Sequence, residues 1–226
     1  MVNAVHEAID PLHTNAMKPL QVQFLFDFGS PTAYLAWTQL PGICTAAGAD
    51  LVYRPMLLGG VFQATGNASP ISVPAKGKYM LADMARFARR YGVPMTFNPH
   101  FPINTLQLMR GAVGVQSRMP ERFVDYVTAV YESTWVEARN MGDLATVAEV
   151  LERVGFDARA ILDLTSDPAV KQALILLRYV ERYLEDPRHV EGPQATQVQH
   201  LRLDAGSSQL VRGGQRSREH AAPGEQ

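Results

Sequence analysis

Between Gln21 and Met56 the chain reads QVQFLFDF, breaks at Gly29-Ser30-Pro31, continues as TAYLAWTQLPGICTAA and closes on DLVYRPM. The outer runs, Gln21–Phe28 and Asp50–Met56, carry the aromatic and β-branched residues of strands, the first of them a buried one. The middle run, Thr32–Ala47, spaces Leu35, Leu40 and Ile43 as a helix does. Pro41 predicts a kink or restart there, and Gly48 a stop. A strand, a helix and a strand in this length make a βαβ unit, so the strands are expected to be parallel and joined by a right-handed crossover.

The pattern turns helical after Met56. Pro74–Tyr91 is amphipathic, with Tyr79, Met80, Met84 and Phe87 toward one side. Further helices are expected at Asn104–Gln116, Pro120–Val136, Asp143–Val154 and Asp157–Leu164. Asp167–Tyr183 completes the set, its Asp167-Pro168 start being a cap followed by proline at the first helical position. The expected organisation is therefore a disordered leader over 1–19, the βαβ part over 20–56, a helical insertion over 57–166, a return helix over 167–186 and a disordered tail over 187–226. Met17, directly before the first strand, is an alternative start. No repeat is visible.

Composition removes several classes of function. A formal net charge of −1 gives no basic excess for nucleic acid. No stretch reaches the ~18 apolar residues of a membrane span, and residues 1–19 lack the form of a secretory signal, so a cytoplasmic protein is expected. The lone Cys44 excludes an internal disulfide and a CxxC redox pair, and reads as a small buried hydrophobe. Of six histidines only His100 lies between positions 13 and 189. No metal site is expected.

Chemistry concentrates at Asp27-Phe28-Gly29-Ser30-Pro31. Taken alone, Ser30 is a helix N-cap worth about 1 kcal/mol. The place matters, however: a helix N-terminus at the carboxyl end of a parallel strand offers free N–H groups and a positive dipole end, which favour a phosphate or a thiolate. Thioredoxin-like folds put a cysteine there. A serine can instead donate a hydrogen bond to a thiolate brought by another molecule. The turn is not the G-x-S-x-G elbow of serine hydrolases, because no glycine follows the serine.

With FDFGSPTAYLA, VYRPMLLGGVFQATGN and PAKGKYM in place, the chain resembles the 2-hydroxychromene-2-carboxylate isomerases and the related kappa-class glutathione transferases, from about Val22 to about Leu174. The resemblance implies an α/β, thioredoxin-like βαβ unit with an inserted all-helical domain, glutathione as cofactor, and a homodimer. It implies that Ser30 is catalytic and holds the glutathione sulfur. Pro31, Thr32, Asn67 and Lys76 would contact glutathione and Asp83 would lie near it. Phe101, Pro102 and Asn104 would line the pocket of an aromatic or electrophilic second substrate, with His100 a loop residue. Each has a plainer reading: Asn67 as a turn residue, Lys76 as a surface cation, Asp83 as a partner for Arg86 or Arg90. The chemistry is nucleophilic. A thiol of pKa near ~8.5 becomes mostly thiolate at pH 7 when a site favours the anion by roughly 2.7 kcal/mol.

The end of the chain departs from that pattern. The 51 residues from Leu176 to Gln226 contain no Phe, Trp, Met, Ile, Lys, Asn or Cys. They hold no Pro-Thr dipeptide and no strand-like run of adequate length. The C-terminal strands of the thioredoxin fold are thus expected to be missing or replaced by a rearranged ending, leaving the first strand with an unpaired apolar edge. The alternative function is a non-catalytic relic whose helical part survives as an interaction module.

Overall fold

The computed structural model describes residues 20–174; the leader, the later part of the predicted return helix and the tail lie outside the described residues. β1 (Gln21–Phe26) and β2 (Asp50–Pro55) pair in parallel, Gln21 opposite Asp50 and Phe24 opposite Tyr53. α1 (Pro31–Ala47) connects them. Gly48 ends it at φ 63°, the left-handed conformation a glycine adopts without a Cβ penalty. Pro41 does not break this helix. Its ring lies on the exposed side and removes one backbone donor, too little to interrupt an element held by Tyr34, Leu35, Trp37 and Cys44 in the core.

β1 is two residues shorter than expected because Asp27 turns the chain: its carbonyl accepts the Ser30 N–H at 3.0 Å and its Oδ1 the Gly29 N–H at 2.8 Å. Nor is it buried on both faces. Phe24 and Phe26 point into the core, whereas Gln23 and Leu25, on the other face, are exposed, Leu25 by 36%. Successive strand side chains alternate between faces, and among the described residues the two-stranded sheet is covered on one of them.

The helical part follows as α2 (Leu58–Thr65), a short 3₁₀ turn at Pro70–Ser72, α3 (Pro74–Tyr91), α4 (Leu106–Arg118), a second 3₁₀ turn at Pro120–Arg122, α5 (Phe123–Trp135), α6 (Leu144–Arg153), α7 (Ala158–Leu164) and α8 (Pro168–Ala173). α6, α7 and α8 begin as the sequence anticipates: Asp143, Asp157 and Asp167 accept the N–H groups of Thr146, Ala160 and Ala169. The predicted helix over 120–136 opens as a 3₁₀ turn at Pro120–Arg122, which passes directly into α5 at Phe123.

One continuous core joins the βαβ unit to the helices. Phe24, Phe26 and Phe28 stack against Tyr53, Phe123, Tyr126 and Tyr131, with centroids 4.9–6.5 Å apart. Tyr34 and Trp37 of α1 reach the same Tyr131. Trp135, fully buried at the end of α5, donates its indole N–H to the Phe28 carbonyl at 2.8 Å. The helical region thus grips the backbone immediately before the Gly-Ser-Pro turn.

Candidate active site

The turn after β1 is fixed from beneath by a buried carboxylate. Asp27 is 2% exposed and receives three donors: Gly29 N–H on Oδ1, Leu58 N–H on Oδ2 at 2.7 Å, and the Thr105 side chain. It therefore ties together the turn, the start of α2 and the start of α4. Burial pushes its pKa above the ordinary carboxylate value, against the opposing pull of those hydrogen bonds. Sequence reading passes over Asp27 as part of a strand. The signal present was an acid at the end of an otherwise apolar run, since a charge there requires compensating donors.

Above it, Ser30 caps α1. Its Oγ accepts the Ala33 N–H at 3.2 Å and lies 2.8 Å from Thr32 Oγ1, where either hydroxyl can donate. Pro31 has no N–H and Ala33 is already capped, so the main-chain donor this end of the helix presents is that of Thr32. The site offers one amide and two coupled hydroxyls, a smaller set of donors than the sequence suggests. When Thr32 donates to Ser30, the Ser30 proton is released for an acceptor in the cavity.

That cavity measures about 750 Å³ and is bounded by the turn at 29–32, the segment from Leu58 to Val73, and α3. Of the predicted site residues, Ser30, Pro31, Thr32, Asn67, Lys76, Asp83 and Phe101 all line it. They come from segments up to 71 positions apart. Asn104 does not join them: it is exposed, and its side-chain oxygen accepts the Leu106 N–H at 3.0 Å ahead of α4. Phe62, Tyr79 and Met80 are further walls; they lie within the quoted runs VYRPMLLGGVFQATGN and PAKGKYM but are not among the residues singled out for the site.

Each polar wall has a distinct character. Gly66, at φ 64°, ends α2 and delivers Asn67, whose Oδ1 is taken by the Ala68 N–H, leaving the amide N–H pair as what it can offer. Lys76 sits in the first turn of α3, a turn without acidic residues, where its charge opposes the positive end of the helix dipole. That unfavourable placement becomes favourable when an anion binds there, because helix end and ammonium then attract the same ligand. Asp83 is bonded to Arg86 at 2.6 Å and also borders the cavity.

These residues fit glutathione. A tripeptide with two carboxylates, an ammonium and a thiol requires a cation, amide donors, a carboxylate and a hydroxyl; Lys76, Asn67, Asp83 and Ser30 supply one of each on the walls of a single cavity.

Comparison with known proteins agrees. Residues 21–175 match the family model of the DSBA-like thioredoxin domain. A 2-hydroxychromene-2-carboxylate isomerase of Sphingobium xenophagum is 33% identical over 153 residues, covering 66% of this chain and 75% of that protein. Glutathione S-transferase kappa 1 of Rattus norvegicus is 25% identical over 164 residues, covering 69% and 73%. The solved structure of a 2-hydroxychromene-2-carboxylate isomerase superposes with a TM-score of 0.59 at 28% identity, over 69% of this chain and 75% of that one. Because the family model takes in most of the chain and the first of these relatives is matched over three quarters of its length, the chain belongs to the DSBA-like thioredoxin-domain family, in the group of the 2-hydroxychromene-2-carboxylate isomerases and kappa glutathione S-transferases.

Proposed function

We propose that the chain is a glutathione-dependent isomerase of the 2-hydroxychromene-2-carboxylate type or a glutathione transferase. The observation that carries this reading is the convergence of Ser30, Thr32, Asn67, Lys76 and Asp83 on one cavity at the end of β1. Glutathione, when bound, supplies a nucleophilic thiolate, which adds to a conjugated acid and leaves again in isomerisation, or stays in transfer.

The chain's own residues do the rest. Ser30, relayed by Thr32, donates toward the sulfur and lowers the cost of the anion. The Thr32 N–H and the dipole of α1 add to this stabilisation. Lys76 holds a carboxylate as a point charge. Asn67 fixes the peptide part through its N–H groups, and Asp83 receives an ammonium. Phe101 and Met80 add apolar walls to the cavity.

Titration calorimetry with glutathione tests the reading. Binding to the full chain is expected, together with the near-ultraviolet absorbance of a thiolate. Ser30→Ala should raise the pKa of the bound thiol by about 1 to 2, since a hydrogen bond to a charged group contributes roughly 1.5–3 kcal/mol. A folded protein that takes up no glutathione refutes it. The second reading, a non-catalytic relic, is favoured by one observation: among the described residues the outer edge of β1 has no strand paired to it. It predicts helical circular dichroism without glutathione affinity.

A further inference from the structure

Charge is unevenly placed on this molecule. Residues 20–174 hold 13 lysines and arginines and 13 aspartates and glutamates. Five of those cations, Lys76, Lys78, Arg86, Arg89 and Arg90, lie on α3 with a single acid, Asp83. The helix therefore carries +4 and the remainder of that stretch −4. Elsewhere in the fold arginines are neutralised locally: Arg118, Arg122, Arg139 and Arg153 each pair with a carboxylate. On α3 Arg86 pairs with Asp83, but among the described residues Lys78, Arg89 and Arg90 have no acidic partner.

These charges share one exposed face. Gly77, Met84 and Ala88 turn the opposite side of α3 inward, and outward stand Lys78, Arg86, Arg89 and Arg90, separated by Ala82 and Ala85. From Lys78 to Arg90 this face is about 18 Å long at about 1.5 Å per residue. No acid interrupts it, because Asp83 is half-buried at its edge and held by Arg86. Tyr79 belongs to the same face: it is 64% exposed, with the Arg86 guanidinium 5.6 Å from its ring centroid. Exposed cations around an exposed tyrosine are the side chains that meet lipid headgroups, where the cations attract phosphates and the ring sits at the level of the interface. Other occupants fit less well. A second copy meeting this face symmetrically would oppose like charges. A long polyanionic chain extends past the helix onto the net-negative remainder, whereas a flat bilayer touches this side alone.

We propose that the outer face of α3 docks the protein on an anionic bilayer surface. This is attachment at the headgroups rather than insertion: among the described residues no helix is long and apolar enough to cross a membrane. Tyr79 and Val73, both exposed, also line the main cavity, so docking sets the rim of that cavity against the lipid. Nothing in this docking depends on the glutathione reading.

Cosedimentation of the full chain with two kinds of vesicle tests this, one of phosphatidylcholine alone and one of equal parts phosphatidylcholine and phosphatidylglycerol. Binding to the mixed vesicles should be at least about tenfold tighter at about 0.1 M salt, and should fall away at about 1 M, where the Debye length shrinks from about 10 Å to about 3 Å. Arg89→Gln combined with Arg90→Gln should weaken it roughly 25-fold, since each cation at an anionic surface contributes about fivefold, or about 1 kcal/mol. Arg159→Gln combined with Lys171→Gln makes the same change of net charge at exposed positions on α7 and α8, and should leave binding within about twofold. All four side chains are exposed, so both variants should keep the wild-type circular dichroism. The lipid and salt dependence of the wild type decides the matter even without them. Equal binding to the two kinds of vesicle, or to neither, overturns the proposal, as does an equal loss in the α7–α8 variant. Tighter binding of polyglutamate or duplex DNA than of the mixed vesicles overturns the bilayer as the partner.

Discussion

Replacing Asp27 by Asn tests whether one buried carboxylate holds the site together. The two side chains are nearly isosteric, but both carboxylate oxygens are acceptors here, Oδ1 for Gly29 and Oδ2 for Leu58. An amide keeps one acceptor and turns an N–H pair toward the other backbone N–H. One acceptor is lost and a buried backbone N–H is left unpaired, about 1–3 kcal/mol, and once the carboxylate ionises relief of the desolvated charge returns part of it. A net loss of about 2 kcal/mol is expected. With a urea m-value of about 2 kcal/mol/M this lowers the unfolding midpoint by about 1 M at unchanged m. The buried Trp37 and Trp135 provide the fluorescence signal. The pH dependence has a definite sign. Burial raises the Asp27 pKa in the folded state, so its contribution is full below the unfolded carboxylate pKa and is lost as pH rises through the folded one. The gap between wild type and Asp27→Asn should therefore narrow from pH 4 to pH 7. An unchanged midpoint would refute the bridging role, and a gap that widens toward pH 7 would mean that the hydrogen bonds, not burial, dominate the carboxylate.

Two further substitutions probe the contacts between helices and site. A Cβ on Gly111 would overlap the buried Tyr126 hydroxyl and stand 2.9 Å from its Cζ, so Gly111→Ala should cost about 1–3 kcal/mol through overpacking, read as a lowered Tm; no change would show that Tyr126 can move while keeping its bond to the Leu108 carbonyl. Trp135→Phe leaves the Phe28 carbonyl without its buried donor, and should lower stability by about 1–3 kcal/mol and weaken glutathione binding as the turn loosens. An affinity equal to wild type would show that α5 supports the fold without positioning Ser30.

Ser30 was legible as a helix cap after a strand, a matter of local chemistry, whereas Asn67 and Lys76 were singled out by the family resemblance, their local patterns reading equally as a turn residue and a surface cation. Asp27 was missed because its meaning lies in donors from Leu58 and Thr105, 31 and 78 positions away, which no local pattern announces. The resemblance places Asn104 at the pocket, yet the chain there is already turning to begin α4, and the amide oxygen caps that turn. Pro41 reads as a kink or restart because propensity weighs each residue alone; the buried side chains of α1, Tyr34, Leu35, Trp37 and Cys44 among them, outweigh one absent hydrogen bond.

The sequence by itself determined most of the elements and their order, though not α2 or the 3₁₀ turns, since the βαβ start, the glycine at the end of α1 and the aspartate caps are short-range consequences of periodicity and backbone chemistry. It also determined the site's chemical vocabulary, a hydroxyl in place of a cysteine at the helix end. Only the tertiary structure decided that one aromatic core unites sheet and helices, that among the described residues β1 is covered on a single face, and that Ser30, Asn67, Lys76 and Asp83 line one cavity. Such features arise from contacts between residues distant in the chain, and their energies depend on which faces meet, a quantity that periodicity within one segment does not contain.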